Sequence, residues 1–228
     1  MIRFFDIFFS SLALLALSPL FIFVIIFLKF TGEGEVFFLQ DRVGKAGKYF
    51  KLYKFATMLK DSQNIGTGTV TIKDDPRILP LGGFLRKSKI NELPQLINIF
   101  IGNMSLIGPR PQAERCFNVF PREFQDIIIK MKPGLSGIGP IVFRAEEDIL
   151  DGQDNISFYD EIISPYKAEI EAWYINKQDL KTYFLLIFIT IQAVLISNSS
   201  LVWKVFRDLP IPPDDLKKHL NFNTDIQK

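Results

Sequence analysis

The chain is poor in the two residue types that most often bind zinc. Its 228 residues include one cysteine, Cys116, and one histidine, His219. A single cysteine cannot close an internal disulfide, and these two residues cannot supply the ligands of a structural zinc site. Because His219 lies in a charged C-terminal stretch, DDLKKHL, hydrolysis by a Ser-His-Asp triad is also a poor candidate. We interpret Cys116 as an inert thiol and the composition as typical of a reducing, cytosol-facing compartment.

An excess of positive charge is missing as well. The 27 Lys and Arg residues against 25 Asp and Glu residues give a formal net charge of +2. A general nucleic-acid binder carries a strongly basic stripe, so we expect no nucleic acid as a partner. Phenylalanine is abundant instead, with 23 residues against 6 Tyr and 2 Trp. This bias is typical of a chain that buries much apolar surface, in lipid as well as in protein.

The longest apolar run covers residues 4–28, which is enough to cross a bilayer core at about 1.5 Å per residue. Ser18-Pro19 interrupts it near the middle, and the proline predicts a bend or break in the helix. The residues alone leave two arrangements, a kinked single pass, which they favour, or a re-entrant hairpin that enters and leaves one face. Arg3 and Lys29 flank both ends, so the positive-inside rule does not decide.

A second apolar run, Tyr183–Ile196, is too short to span a membrane. It is either a core helix or a helix along the membrane interface with Trp203, Lys204 and Arg207 as anchors, and the residues leave both open. The tail after Pro210 is expected to be a peripheral extension.

The central region predicts a small antiparallel β element followed by short helices. Alternating apolar residues over 36–58, with glycines in the middle, indicate a hairpin. The polar segment Asp61–Asp75 is expected to be a loop near the site. Short helices are expected over Ile78–Arg86 and Ile90–Ile101, with Pro94 in the first turn of the second.

The most informative stretch is Lys87–Pro111, KSKINELPQLINIFIGNMSLIGPRP. It places a carboxylate, Glu92, on a half-apolar segment and then Arg110 in a rigid Gly-Pro-Arg-Pro corner. A carboxylate and an arginine joined in this way suggest a site for a phosphorylated substrate and a divalent cation. Together with the apolar N-terminus, they suggest chemistry at a membrane surface.

Three segments resemble the monotopic phosphoglycosyl transferases of the bacterial sugar transferase family. They are VFFLQDRVGKAGKYFKLYKFATM, DDPRILPLGGFLRKSKINELPQLINIFIGNMSLIGPRP and KPGLSGIG, and the resemblance covers roughly residues 1–196. It implies transfer of a sugar 1-phosphate from a UDP-sugar to a polyprenol (undecaprenyl) phosphate, with release of UMP. Such a reaction starts the assembly of O-antigen, capsule, exopolysaccharide or protein-linked glycans at the cytoplasmic face of the bacterial inner membrane.

The resemblance also implies the architecture. It favours the re-entrant hairpin, so we expect an α/β, membrane-embedded monotopic domain with a small antiparallel β element and amphipathic interface helices. Residues 1–30 would form the re-entrant helix, 31–200 the cytosol-facing catalytic domain, and 201–228 a C-terminal extension. The lipid bilayer is then a partner, magnesium (Mg²⁺) the cofactor, and the apolar C-terminal run could pair two copies as a homodimer.

The nucleophile position departs from the family pattern. The family uses an Asp-Glu pair in which the Asp attacks the β-phosphate, whereas this chain has Asn91-Glu92. A neutral carboxamide is a very weak nucleophile and a poor magnesium ligand. Four explanations stay open: a deliberately inactivated variant, a natural pseudoenzyme, attack by Glu92 itself, or direct attack by the polyprenol phosphate. We expect an active transferase in which Glu92 serves the metal and the transfer.

Five further residues match family positions for substrate or phosphate. They are Lys54, Arg86, Arg110, Arg144 and Glu171, the last standing where the family has an Asp. Two other positions depart from the pattern, with Ala56 in place of a cation and Asn103 in place of an Asp. The alternatives to an active enzyme are a non-catalytic relative that binds substrate or regulates, and a membrane scaffold without a nucleotide site.

Overall fold

The computed structural model describes residues 1–31, 33–66, 68, 71, 75–150, 155–196 and 201–222. They form a mixed helix and sheet fold that is mostly helical, which confirms the predicted α/β class at this level. In chain order the strands are β1 (Phe37–Val43), β2 (Tyr49–Phe55), β3 (Ser105–Ile107) and β4 (Gly134–Ser136). The helices are α1 (Ile2–Ala16), α2 (Ser18–Lys29), α3 (Gly82–Lys87), α4 (Gln95–Ile101), α5 (Glu114–Asn118), α6 (Arg122–Ile128), α7 (Ile138–Val142), α8 (Glu146–Ile149), α9 (Asn155–Phe158), α10 (Ser164–Lys177), α11 (Leu180–Leu195), α12 (Leu201–Val205) and α13 (Asp214–Lys217).

The N-terminal apolar run forms α1 and α2, which meet at Leu17 with a bend of 61°. Pro19 lies in the first turn of α2, where its missing N–H breaks no helical hydrogen bond. The predicted break is therefore confirmed. Among the described residues no single helix is long and apolar enough to cross a membrane, and only this bent pair could by length and composition.

The bent pair leaves much of its apolar surface uncovered. In α1 the buried residues are Asp6 and Ser10, and in α2 they are Val24 and Leu28. The exposed large side chains of the pair are Phe4, Ile7, Phe8, Leu12, Leu15, Ile22, Phe23, Ile26 and Phe27. An exposed apolar row of this size is typical of a surface that contacts another protein or a membrane.

The predicted hairpin is confirmed. Strands β1 and β2 pair antiparallel, from Phe37 opposite Phe55 to Val43 opposite Tyr49. The connecting turn needs left-handed backbone at Gly47, where φ is 71°, and the same region is adopted by the preceding alanine.

The helix predicted over Ile78–Arg86 begins later than expected, at Gly82. Ile78 instead bridges Met58, and the N–H of Leu79 donates to the Thr57 carbonyl at 2.9 Å, so this part of the chain is extended. The helix predicted over Ile90–Ile101 is divided, because a 3₁₀ turn at Ile90–Glu92 precedes α4. Pro94 caps α4 and does not lie within its first turn.

A parallel pair, β3 and β4, was not predicted. Its glycines permit a close approach of two backbones, since a Cβ atom at Gly134 would lie 2.1 Å from the amide nitrogen of Gly108. The Gly134 N–H donates to the Pro109 carbonyl at 2.8 Å. These contacts fix the start of the Gly-Pro-Arg-Pro corner.

For the run Tyr183–Ile196 the core-helix alternative is confirmed on one face, and the interface alternative stays a prediction. It forms most of α11, whose face with Tyr183, Leu186 and Ile189 is fully buried in the largest core cluster. The opposite face is exposed and apolar, with Phe188 at 61%. One face therefore packs in the core and the other is free to meet an interface.

The C-terminal residues 201–222 pack against the same core. Trp203 is 1% exposed and donates from Nε1 to the Leu220 carbonyl at 3.1 Å. The prediction of Trp203 as an interfacial anchor is wrong, because its ring is enclosed by protein. Leu209 and Leu216 are buried as well, so the described part of the tail is not peripheral. The division at residues 30 and 200 stays a prediction.

Part of the predicted loop over Asp61–Asp75 lies outside the described residues, namely 67, 69, 70 and 72–74. Its described ends are tied together by Arg77, which is 3% exposed. The Arg77 guanidinium pairs with Asp75 and donates to three carbonyls of the loop, those of Ser62, Ile65 and Gly68.

Candidate active site

A carboxylate lies between two cations at the centre of the chain's motif residues. Glu92 Oε1 is 3.0 Å from Arg110 Nη2 and 3.6 Å from Lys54 Nζ. The side chain of Glu92 is 15% exposed, that of Lys54 18% and that of Arg110 31%, so the cluster is largely enclosed but still open to solvent. Three separate elements thus bring two positive charges and one negative charge to one place, as the sequence motif predicted for Glu92 and Arg110.

The turn that carries Glu92 is sharp. Lys89 has left-handed backbone, with φ at 60°, and leads directly into the 3₁₀ turn at Ile90–Glu92. A non-glycine residue in this conformation costs of order 1 kcal/mol or more, and it is retained here between α3 and α4. Asn91 lies in the same turn and is 4% exposed. Its Oδ1 has no hydrogen-bond partner within the described part of the chain.

Lys54 is positioned by the docking of α4 onto β2. Asn98 is fully buried and makes two hydrogen bonds to one edge of the strand's backbone. Its Oδ1 accepts from the Tyr53 N–H at 2.9 Å, and its Nδ2 donates to the Lys51 carbonyl at 2.8 Å. Because α4 also follows Glu92 in the chain, this amide fixes the distance between the two charges. The prediction of a short apolar segment after Glu92 gave no sign of this role of Asn98.

Arg110 is held by its own backbone as well as by Glu92. Its N–H donates to Glu171 Oε1 at 2.9 Å. Gly139 makes room for this carboxylate, since a Cβ there would lie 2.2 Å from Glu171 Oε1. The hydrogen bond from the Arg110 N–H to Glu171 therefore fixes the backbone of the corner, and with it the position of the Arg110 guanidinium.

A third cation, Arg42, was missed by the sequence reasoning. It hydrogen-bonds to Gln40 and donates from Nη1 to the Pro111 carbonyl at 3.2 Å. Burial, and to a lesser extent the charge of the nearby Arg110, lower the pKa of Arg42 to about 10. The signal was present in the strand pattern, because the hairpin register puts Arg42 and Lys54 on the same face.

The electrostatics of the cluster set the charge of each member. Burial lowers the pKa of Lys54 to about 7, with Glu92 opposing the shift. Burial alone would raise the pKa of Glu92, but the charges of Arg110 and Lys54 outweigh it and hold that pKa well below its usual range. The charge of Glu92 raises the pKa of Arg110. Glu92 and Arg110 are therefore charged at neutral pH, whereas Lys54 is close to its titration point.

Glu171 is buried behind the corner. It is 2% exposed, and its Oε2 has no hydrogen-bond partner among the described residues. Burial raises its pKa to about 7, against the lowering effects of the Arg110 N–H and of Lys167. The structure thus places this predicted substrate contact beneath Arg110, where it supports the corner.

Comparison with known proteins identifies the family of the chain. A family model described as bacterial sugar transferase matches residues 1–197. The chain belongs to this family. It is 31% identical over 212 residues to the exopolysaccharide production protein ExoY of Sinorhizobium fredii (strain NBRC 101917 / NGR234), covering 87% of each chain.

Two longer relatives carry more specific names. The chain is 34% identical over 186 residues to the UDP-glucose:undecaprenyl-phosphate glucose-1-phosphate transferase of Escherichia coli (strain K12), covering 80% of this chain and 38% of that protein. It is 33% identical over 192 residues to the UDP-N-acetylgalactosamine-undecaprenyl-phosphate N-acetylgalactosaminephosphotransferase of Aeromonas hydrophila, covering 83% of this chain and 42% of that protein.

The remaining residues expected from the family pattern form no ion pair with Glu92 within the described part of the chain. Arg86, near the end of α3, donates to the sulfur of Met58 at 3.9 Å, and its charge contributes to lowering the pKa of Lys54. Arg144 follows α7, is half-buried, and makes no hydrogen bond or ion pair within the described ranges. Ala56, where the family has a cation, is buried at the end of β2.

The donor set around Glu92 is small for a metal. Within the described ranges no group of three or more His, Cys, Asp or Glu side chains could hold an ion by itself. Magnesium prefers oxygen ligands and is commonly bound by one or two carboxylates together with substrate phosphates. The Glu92 carboxylate alone fits a magnesium ion that arrives with a diphosphate, whose oxygens would supply further ligands.

Proposed function

We propose that this chain transfers a sugar 1-phosphate from a UDP-sugar to undecaprenyl phosphate and releases UMP, as the first step of an exopolysaccharide or capsule-type glycan. The observation that carries the proposal is the contact of Glu92 with both Arg110 and Lys54. Family membership and the names of the two longer relatives support the same donor and acceptor.

The charges of the cluster suit a diphosphate. Arg110 can bind two phosphate oxygens with its planar guanidinium, and Lys54 adds a compact point charge. Because Arg110 and Lys54 are already held close to Glu92, their positive charges are in place before a diphosphate binds. Such fixed charges stabilise the negative charge that spreads over the phosphoryl oxygens during transfer.

Magnesium is part of the proposal. Glu92, together with the oxygens of the diphosphate, would hold it, and it would neutralise charge on the leaving UMP. The residues of the chain then orient the donor through Arg110 and Lys54 and keep Glu92 ionised for the metal.

We further propose that the acceptor attacks directly. Asn91 has no anionic oxygen, and Glu92 Oε1 is engaged by two cations, which makes each a poor nucleophile. In this route an oxygen of undecaprenyl phosphate bonds to the β-phosphorus while the bond from that phosphorus to the oxygen bridging the α-phosphate breaks. The products are undecaprenyl diphosphate-sugar and UMP, so atoms and charges balance.

The membrane part of the proposal rests on α1 and α2. Their bend of 61° and their exposed apolar side chains support a re-entrant hairpin that enters from the cytoplasmic face of the inner membrane. The lipid acceptor and the soluble donor would then meet on one side of the bilayer, where Glu92 is open to solvent.

The test is a donor screen with the purified protein, undecaprenyl phosphate, magnesium and a panel of UDP-sugars, scored by UMP release. Release with at least one donor, lost in Arg110→Ala but kept in Arg122→Ala, supports the proposal. Arg122 is a matched control because its side chain is 83% exposed and, among the described residues, it forms an ion pair with Asp126, one turn along α6. Donor binding without release would mean a non-catalytic relative, and the absence of binding to every donor would favour a scaffold.

A further inference from the structure

A second positively charged cleft lies at the beginning of α1. It has a volume of about 300 Å³ and is lined by four cations, Arg3, Lys45, Lys130 and Lys132. Met131 lines this cleft on one side and a small cavity next to Arg110 on the other. The cleft is therefore separate from the Glu92 cluster, although one wall is shared.

The four cations come from three parts of the chain and are poorly neutralised. One carboxylate, Asp6, lines the cleft, and its Oδ1 already accepts hydrogen bonds from the Ser105 hydroxyl, the Leu106 N–H and the Tyr183 hydroxyl. Within the described residues none of the three lysines forms an ion pair. The cleft thus carries a net charge of +3, counted as four cations less one carboxylate.

Lys132 and Arg3 are two cations of the cleft that lie near each other. Burial lowers the pKa of this lysine, and the nearby Arg3 lowers it in the same direction. A Cβ added at Gly102 would meet the Arg3 guanidinium at 3.2 Å and the Lys132 ammonium at 3.6 Å, so the two cations approach one point. An anion bound between them would offset the repulsion of their like charges.

The helix that carries Arg3 also has an apolar surface rich in phenylalanine. Phe4 and Phe8, on the same helix as Arg3, are 68% and 52% exposed. The Phe5 and Phe184 rings contact each other with centroids 4.9 Å apart, which joins α1 to the exposed face of α11. A ligand with a phosphate at one end and hydrocarbon at the other would match both surfaces.

We propose that this cleft binds the phosphate of an anionic membrane phospholipid, whose acyl chains lie along the phenylalanine surface of α1 and α11. The charge of the cleft selects an anionic headgroup, and the exposed apolar face distinguishes a lipid from a free phosphate. The inference rests on the membrane association proposed above and is independent of the transfer chemistry.

The experiment measures binding of the full chain to phosphatidylcholine vesicles with and without phosphatidylglycerol. The double variant Lys130→Ala/Lys132→Ala is expected to bind the anionic vesicles about 30-fold more weakly. Each of the two lysines contributes about 1 kcal/mol of attraction to an anionic membrane surface, and about 1.4 kcal/mol corresponds to a factor of ten in binding. Binding to neutral vesicles should not change. The variant Lys130→Arg/Lys132→Arg should bind as the wild type does, which checks that the segment still folds.

A matched double variant, Lys217→Ala/Lys218→Ala, removes the same charge from α13 and the residue after it. It should lower anionic binding by less than about threefold. Equal loss in both double variants, or no loss in either, would overturn the proposal. Complete loss of the anionic preference on adding inorganic phosphate at constant ionic strength would assign the cleft to a soluble phosphate and would also overturn it.

UMP release from detergent-solubilised substrates separates this inference from the proposed function. The double variant Lys130→Ala/Lys132→Ala should keep the wild-type rate within about twofold, because the lysines do not contact Glu92 or Arg110. Loss of this rate with unchanged vesicle binding would place the cleft in the transfer reaction and would refute the lipid site. A wild type without any UMP release would refute the proposed function alone.

Discussion

Replacement of Glu92 by glutamine tests the electrostatic core of the site. The change keeps the shape of the side chain and removes the negative charge next to Arg110 and Lys54. Because Glu92 is the group that opposes the effect of burial on Lys54, the pKa of this lysine is expected to fall below about 7. At neutral pH the unliganded variant therefore lacks the carboxylate charge and also most of the Lys54 charge.

The expected magnitude follows from these two losses. A charged contact with a metal or a transferring phosphoryl group contributes several kcal/mol to the transition state. A loss of roughly 3 to 5 kcal/mol lowers kcat about 10²- to 10⁴-fold, since about 1.4 kcal/mol corresponds to a factor of ten. The fold should suffer less. The Arg110 side chain is 31% exposed and can be hydrated when its partner is lost, so we expect about 1 to 2 kcal/mol of destabilisation.

The assay is UMP release under single-turnover conditions, with vesicle association and thermal unfolding measured on the same samples. Glu114→Gln is the matched control, since Glu114 is exposed and accepts a hydrogen bond from the Tyr49 hydroxyl outside the cluster. Both variants should remain membrane-associated, and only Glu92→Gln should lose turnover. Turnover of Glu92→Gln within about threefold of the wild type would remove this carboxylate from the mechanism.

Three further predictions address the neighbouring residues. Asn91→Asp places an anionic oxygen in the nucleophile position, so this variant should release a stoichiometric amount of UMP from UDP-sugar alone. The wild type should release UMP only when undecaprenyl phosphate is present. An equal burst of UMP from the wild type without acceptor would contradict direct transfer. Because the pKa of Lys54 is lowered to about 7, its side chain is positively charged below that pH. KM for the UDP-sugar should therefore rise about tenfold per pH unit above pH 7. Lys54→Arg should flatten this pH profile, and an unchanged slope in that variant would exclude Lys54 as the origin of the pH dependence. Glu171 has a folded-state pKa raised to about 7, so its contribution to stability is complete below its unfolded pKa near 4.5 and is lost as pH rises through about 7. Glu171→Gln should remove up to about 3 kcal/mol of this pH dependence of the free energy of unfolding, measured by thermal unfolding. Glu123→Gln, on the surface of α6, is the control that should leave the pH dependence unchanged.

Local patterns were sufficient to predict the parts of the fold that depend on local physics. Alternating residues and a glycine-containing turn predicted the hairpin, and Ser18-Pro19 predicted the break between α1 and α2. The close pairing of Glu92 with Arg110 could also be expected, because a short apolar segment and rigid prolines join them in sequence.

Contacts between distant residues could not be predicted in this way. Glu171 contacts the Arg110 backbone across 61 positions of sequence, and the space it needs exists only because residue 139 is glycine. The prediction of Trp203 as an interfacial anchor failed for a related reason. An aromatic residue followed by cations has the same sequence pattern whether its ring faces lipid or protein. Its burial is decided by contact with the tail around Leu220, which no local pattern specifies.

The segment from Ser105 to Arg110 connects α1 with the Gly-Pro-Arg-Pro corner. At one end, Asp6 of α1 accepts hydrogen bonds from the Ser105 hydroxyl and the Leu106 N–H, each at 2.9 Å. At the other end, the Arg110 N–H is fixed by Glu171. The six residues from Ser105 to Arg110 therefore fix the distance of Arg110 from α1. If α1 enters a bilayer, they also fix the depth of Arg110 relative to that bilayer. A site for a lipid-linked phosphate needs this constraint, because the acceptor phosphate stays at a depth fixed by its own hydrocarbon chain. The buried Asp6 thus fixes the position of the corner relative to α1, the helix that we propose enters the membrane.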